Sequence, residues 1–184
     1  MKLRALVLIA MFVATSTVRA SLIGDTVTVD FVSPLVGQSS TTTVVAQAGD
    51  SDLISYDFGL GVGTLVTVNI EASSIHFNFI NHDLSWASGE KFVFNDLQFL
   101  SPDGVVAGVT FDTNIAGFGP SRVGYTENSI TVDMSSLNTF APKVLNLDIQ
   151  SRSVPEPASL ALFGLGLFGM VAAYRAKRKQ VPVL

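Results

Sequence analysis

The chain has 184 residues, a formal net charge of −4 and a mean hydropathy of +0.46, a length that holds one ordinary domain once terminal segments are set aside. It has no cysteine, which excludes disulfides, thiolate metal sites and thiol catalysis. Residues 21–150 carry 14 acidic and three basic side chains (Lys91, Arg122 and Lys143), a charge of −11, and so acidic a body repels phosphate backbones, which argues against nucleic acid as a partner.

The front end is built for export. Met1-Lys2-Leu3-Arg4 is a positive start, and Ala5 to Ala14 is an unbroken apolar run. As a helix that run spans about 15 Å, half of a hydrocarbon core. Val18-Arg19-Ala20 places modest side chains at the −3 and −1 positions of a cut between Ala20 and Ser21. This is the layout of a signal peptide over residues 1–20, and it implies a signal peptidase and a Sec-type export machinery as partners.

From residue 21 to about 150 the pattern alternates with a period of two. Val27, Val29 and Phe31 alternate with Thr and Asp. Ile54, Tyr56 and Phe58 follow, then Val66, Val68, Ile70 and Ala72, then Ile75, Phe77 and Phe79. Val105, Ala107, Val109 and Phe111 come after a Pro102-Asp103-Gly104 turn. Ile130, Val132 and Met134, and finally Leu145, Leu147 and Ile149, complete the series. Each is a half-buried strand by pattern. The run Phe92–Phe99 slips out of alternation near Asn95-Asp96, which predicts a bulge. Turn signals lie at 49–52, 81–83, 88–89 and 127–128. About nine short strands at close spacing predict an all-β body: an antiparallel β-sandwich, or jelly roll.

The back end begins with a linker, residues 151–157, that contains Val154-Pro155-Glu156-Pro157. Two prolines around Glu156 force an extended stub poor in backbone donors. Ala158 to Tyr174 is 17 residues without a charge, about 25 Å as a helix and the short end of a transmembrane span. Its seven Leu, Phe and Val residues supply about −2 to −4 kcal/mol of insertion energy, while Gly164, Gly166 and Gly169 weaken the helix. The segment inserts, but marginally. Arg175, Lys177, Arg178 and Lys179 then stop transfer, and the tail 175–184 stays on the cytoplasmic side.

In this order, behind a signal peptide, these three pieces resemble the PEP-CTERM sorting signals. The resemblance covers Val154–Pro157, the Leu/Gly/Phe-rich run and the basic cluster; Gln180–Leu184 extends past the usual end. It implies export in a Gram-negative bacterium, and recognition by exosortase, an integral-membrane cysteine transpeptidase or protease that processes the C-terminal region. It also implies an association with exopolysaccharide and biofilm. Val154, Pro155, Glu156 and Pro157 are then the recognition site. Within the body, Ser21–Val27, Ala116–Gly119 and Ser121–Val123 resemble a recurrent β-rich type of PEP-CTERM protein, a resemblance that carries no chemistry.

Other motifs are weighed against plainer readings. Gly164-Leu165-Gly166-Leu167-Phe168-Gly169 spells GxGxxG, but prolines precede it and no βαβ unit follows; glycines here suit close helix approach in lipid. His76 and His82 are the two histidines, and no further zinc ligands can be named beside them. Asp50, Asp52 and Asp57 offer calcium oxygens without the EF-hand layout. No G-x-S-x-G elbow supports a Ser-His-Asp triad. Trp86 is a sugar-stacking platform only if exposed, and a core tryptophan is the plainer reading.

The expectation is a non-enzymatic exported protein without catalytic residues, cofactor or metal. It is held transiently in the inner membrane with its body in the periplasm, then released to the cell surface or matrix. The alternatives are a carbohydrate-binding module or polysaccharide-active enzyme on the same anchor, and an unprocessed single-pass membrane protein.

Overall fold

The computed structural model describes residues 21–34, 38–49, 53–58, 63–80, 83–100 and 103–153, together with Gly166 and Met170. Thirteen strands lie among the described residues: β1 (Thr26–Ser33), β2 (Gln38–Val45), β3 (Ile54–Tyr56), β4 (Val66–Ile70), β5 (Ser74–Phe79), β6 (Asp83–Ser85), β7 (Lys91–Asn95), β8 (Phe99–Leu100), β9 (Asp103–Thr113), β10 (Val123–Tyr125), β11 (Ile130–Asp133), β12 (Asn138–Phe140) and β13 (Lys143–Ser153). All pairings are antiparallel. One sheet runs β10-β11-β7-β1-β2, the other β3-β4-β5-β13-β9-β8, and β6 pairs with β12 in a small third sheet.

Alternation is what makes the two large sheets face each other. In β1 the inward Val27, Val29 and Phe31 are buried and the intervening residues less so; β5, β7 and β11 repeat the pattern. The inner faces meet in an aromatic core. Phe77 of β5 lies 5.2 Å from Phe92 and 5.8 Å from Phe94, both on β7, in edge-to-face geometry. Phe31 sits 5.1 Å from Phe92 of its own sheet and 6.3 Å from Tyr56 of β3, so the seam spans both sheets. Each such pair adds about 0.5–1.5 kcal/mol to its area burial. The chain forms hairpins and meanders within a sheet at β1–β2, β3–β4–β5, β8–β9 and β10–β11, and crosses between the two large sheets from β2 to β3, from β5 to β7, from β7 to β8, from β9 to β10 and from β11 to β13.

Three expectations are corrected. The slip near Asn95-Asp96 is not a bulge within one strand: β7 ends at Asn95, Asp96 takes φ +62°, and the chain crosses to the other sheet as β8. The bulge lies elsewhere. Gln150 opposes Gly108 but Ser151 opposes Val106, which leaves Ala107 unpaired. That extra residue flips the face of β9, so Val106 is buried and Ala107 is exposed, against the simple alternation of 105–111. Finally, Ser151–Ser153, expected in the linker, are the last residues of β13.

Candidate functional site

The candidate site is the pole of the sandwich through which the chain leaves toward its C-terminal segment. Backbone hydrogen bonds define it. The Leu22 N–H donates to the Ala72 carbonyl at 2.8 Å, and the Ile149 N–H to the Ser73 carbonyl at 2.8 Å. Gly24 N–H donates to Ala46, Leu97 N–H to Asn128, and Val106 N–H to Glu127. The β4–β5 turn, the entry to β1, the β7–β8 crossing and the β10–β11 turn therefore converge at one end. β13 exits there. It pairs with β5 as far as Asp148, opposite Ser74, and continues on β9 to Ser153, opposite Gly104.

Asp25 and Glu127, both in this pole, have different environments. Asp25 is 4 % exposed, and one carboxylate oxygen accepts the Gln98 N–H at 2.5 Å. Burial raises its pKa, the backbone bonds from Gln98 and Thr26 pull it down, and the neighbouring Asp96 carboxylate adds to the rise. Asp25 also holds its own strand entry, since its N–H donates to Leu22 and its carbonyl accepts from Ala46. Glu127 pairs at 2.7 Å with Arg152 on the exposed tip of β13, a surface contact worth about 0–1 kcal/mol.

The opposite pole is closed by the β6–β12 pair. Trp86 follows β6, is buried, and donates its indole N–H to the buried Thr139 hydroxyl of β12 at 3.0 Å. Its ring meets Phe79, Phe58 and Phe92 edge-on at 5.5–6.0 Å. Trp86 is a core tryptophan and offers no stacking face to a sugar.

Of the residues singled out by sequence, Ser21 forms an isolated β-bridge at the start of the described body, and Leu22 beside it is fully buried. Ala20, Val154, Pro155, Glu156, Pro157, Arg175, Lys177, Arg178 and Lys179 lie outside the described residues, as do Asp50, Asp52 and His82. Within the expected span, Gly166 and Met170 have helical backbone; among the described residues no helix is long and apolar enough to cross a membrane. His76 lies on the outer face of its sheet. One ring nitrogen contacts Ser74 Oγ and the other Asn146 Oδ1, each at 2.9 Å, and Glu71 is 3.7 Å away. Among the described residues no three His, Asp or Glu side chains are grouped to hold a metal.

Arg122 is a residue whose role sequence reasoning missed. Pro120–Arg122 forms a single 3₁₀ turn, from which the guanidinium reaches the carbonyls of Gly117 at 3.2 Å, Asp133 at 3.3 Å and Ser135 at 2.8 Å. Phe118 packs edge-on against Phe111 at 5.1 Å, and Gly117 takes φ +79°. The Ala116–Val123 segment that stands out in the sequence is thus a clasp that ties the loop after β9 to the end of β11. The signal for it was a lone arginine in a body nearly devoid of positive charge.

The described residues define a class: an all-β, antiparallel body whose long final strand leads, at Ser153, into a C-terminal segment. That segment can be assigned. The family model of the PEP-CTERM protein-sorting motif matches residues 153–179. The chain carries this motif, which marks an exported protein sorted by exosortase at the membrane of Gram-negative-type cells. The match begins where β13 ends and assigns nothing to the sheets. No curated protein and no solved structure matches the chain.

Proposed function

We propose that this protein is a non-enzymatic component of the cell surface or extracellular matrix, delivered by its C-terminal motif and associated there with exopolysaccharide. One observation carries the reading: the sorting motif starts at the last residue of β13, with no intervening domain. Val154, Pro155, Glu156 and Pro157 are the recognition site. Residues 158–174 hold the protein in the inner membrane until exosortase acts, and Arg175, Lys177, Arg178 and Lys179 fix the orientation. The four residues between Ser153 and Ala158 reach at most about 18 Å, so recognition takes place against the pole that holds Asp25 and Glu127. The carbohydrate-binding alternative loses its aromatic candidate, because Trp86 is buried.

Replacing Pro155-Glu156-Pro157 by three alanines tests the sorting role. Export and signal cleavage are expected to stay intact while the protein accumulates, unprocessed, in the inner membrane. Release at the normal level would rule it out. Intact mass of the released protein is expected to lack the C-terminal span; a mass that includes residues 158–184 would favour a permanent membrane protein. Retention of the released protein on the host's own exopolysaccharide tests the matrix association.

A further inference from the structure

The four ends of the two large sheets are not alike. β3, β8 and β10 are edges of three, two and three residues. Edges this short present little backbone to another chain. β2 has eight residues, Gln38-Ser-Ser-Thr-Thr-Thr-Val-Val45, with no charge, no proline and an unbroken register against β1 from Ser33–Gln38 to Thr26–Val45. Its only strand partner among the described residues is β1. In an antiparallel ladder, alternate backbone groups point away from the existing partner. Thr41, Thr43 and Val45 are exposed. The strand itself carries no charge, proline or bulge to keep it from pairing, and no described strand lies along its outer side.

We propose that β2 is a docking edge for a second copy of this chain, paired antiparallel about a two-fold axis so that two five-stranded sheets become one continuous sheet. Self-pairing centred on Thr42 keeps the faces matched. Thr42 lies opposite its own equivalent, Thr41 opposite Thr43 of the second copy, and Ser40 opposite Val44 of the second copy. Threonine pairs of this kind are favourable across strands. Charge does not oppose pairing at this edge. Two bodies of −11 repel, yet β2 itself is uncharged. The carboxylate behind it, Asp30, already accepts from Thr41 Oγ1 at 2.6 Å and from Asn95 Nδ2 at 2.9 Å. In the pair, Asp30 and its equivalent stand three strand spacings apart, about 14 Å, which exceeds the screening length of about 8 Å at physiological salt.

The absence of cysteine makes the test clean. Ser40→Cys, Thr41→Cys, Thr42→Cys, Thr43→Cys and Val44→Cys are each made in the full chain in host membranes and oxidised, with Ser55→Cys on β3 as the reference. The proposal expects a disulfide-linked dimer of this chain at one β2 position, at several-fold the yield of Ser55→Cys, falling away on either side. That maximum marks the two-fold axis. Thr41→Lys with Thr43→Lys places lysines directly opposite lysines in the pair, while one of them gains Asp30 as a neighbour within each copy. The double variant is expected to remove the cross-link and to leave the melting temperature unchanged. Yields no higher than Ser55→Cys at all five positions would overturn the proposal. So would equal yields along the strand that persist in the lysine variant, or a cross-linked species containing a different protein.

Discussion

Leu22 and Ala72 are joined by a 2.8 Å hydrogen bond, and the next carbonyl, Ser73, accepts from Ile149 of β13. One turn therefore holds both the first and the last segments of the body. The expected cut between Ala20 and Ser21 leaves Leu22, which is fully buried, as the second residue of the mature chain.

N-terminal sequencing of the released protein should therefore read Ser21-Leu22-Ile23. Leu22→Ala removes a buried side chain and should cost about 2–5 kcal/mol, read as a lowered urea midpoint. A loss below 1 kcal/mol would show that the pole is not organised around this residue.

Trp86 and Thr139 form a buried side-chain hydrogen bond across the β6–β12 closure. Trp86→Ala should destabilise by about 3–5 kcal/mol. Thr139→Val keeps the shape but strands the indole N–H, at a cost of about 1–3 kcal/mol. Both are read from denaturant unfolding, and neither should alter retention on polysaccharide once the protein is folded.

The strands with clean alternation, β1, β5 and β11, were legible because each needs only one buried face. β2 was not, since Ser40-Thr41-Thr42-Thr43 has no apolar rhythm and becomes a strand only through its register with β1. β4 hid part of its nature for the opposite reason: Thr67 and Asn69 on its other face are buried as well. The bulge at Ala107 depends on which residue of β13 lies opposite, and the converging pole depends on contacts between segments far apart in sequence. The C-terminal motif was readable because its order of proline pair, apolar run and basic cluster is local.

Asp25 and Asp133 should give opposite pH signatures. The Asp133 carboxyl is held below the usual range by hydrogen bonds from Ser135, with Arg122 and Lys91 adding to the effect. Its contribution is present above the unfolded carboxylate pKa of about 3.9 and is lost as pH falls through the lower folded value. Asp133→Asn should therefore destabilise at neutral pH, with the difference closing in acid. Asp25 is raised by burial, so its ionisation opposes folding as pH rises from the unfolded value through the folded one. Asp25→Asn keeps an acceptor for Gln98 and sheds the buried charge. It should gain stability relative to the wild type as pH rises through that window, with the gain absent below it. Thermal melts between pH 3 and 7 check both.

Arg122→Lys should fail to replace the arginine. A single ammonium cannot present the planar fork that reaches Gly117, Asp133 and Ser135. The expected cost is about 1–3 kcal/mol, with faster hydrogen exchange in the loop from Ala116 to Arg122. Unchanged exchange there would remove the clasp role.

β13 is an interior strand, flanked by β5 and β9, and the chain beyond the body continues from its end. Any force transmitted through Ser153 pulls along the axis of this eleven-residue strand, across hydrogen bonds that run perpendicular to it. Beyond the tip that rests on β9 alone, those bonds are loaded in shear on both sides and must yield together rather than unzip one at a time. A pull applied there draws on the mechanical strength of the whole six-stranded sheet.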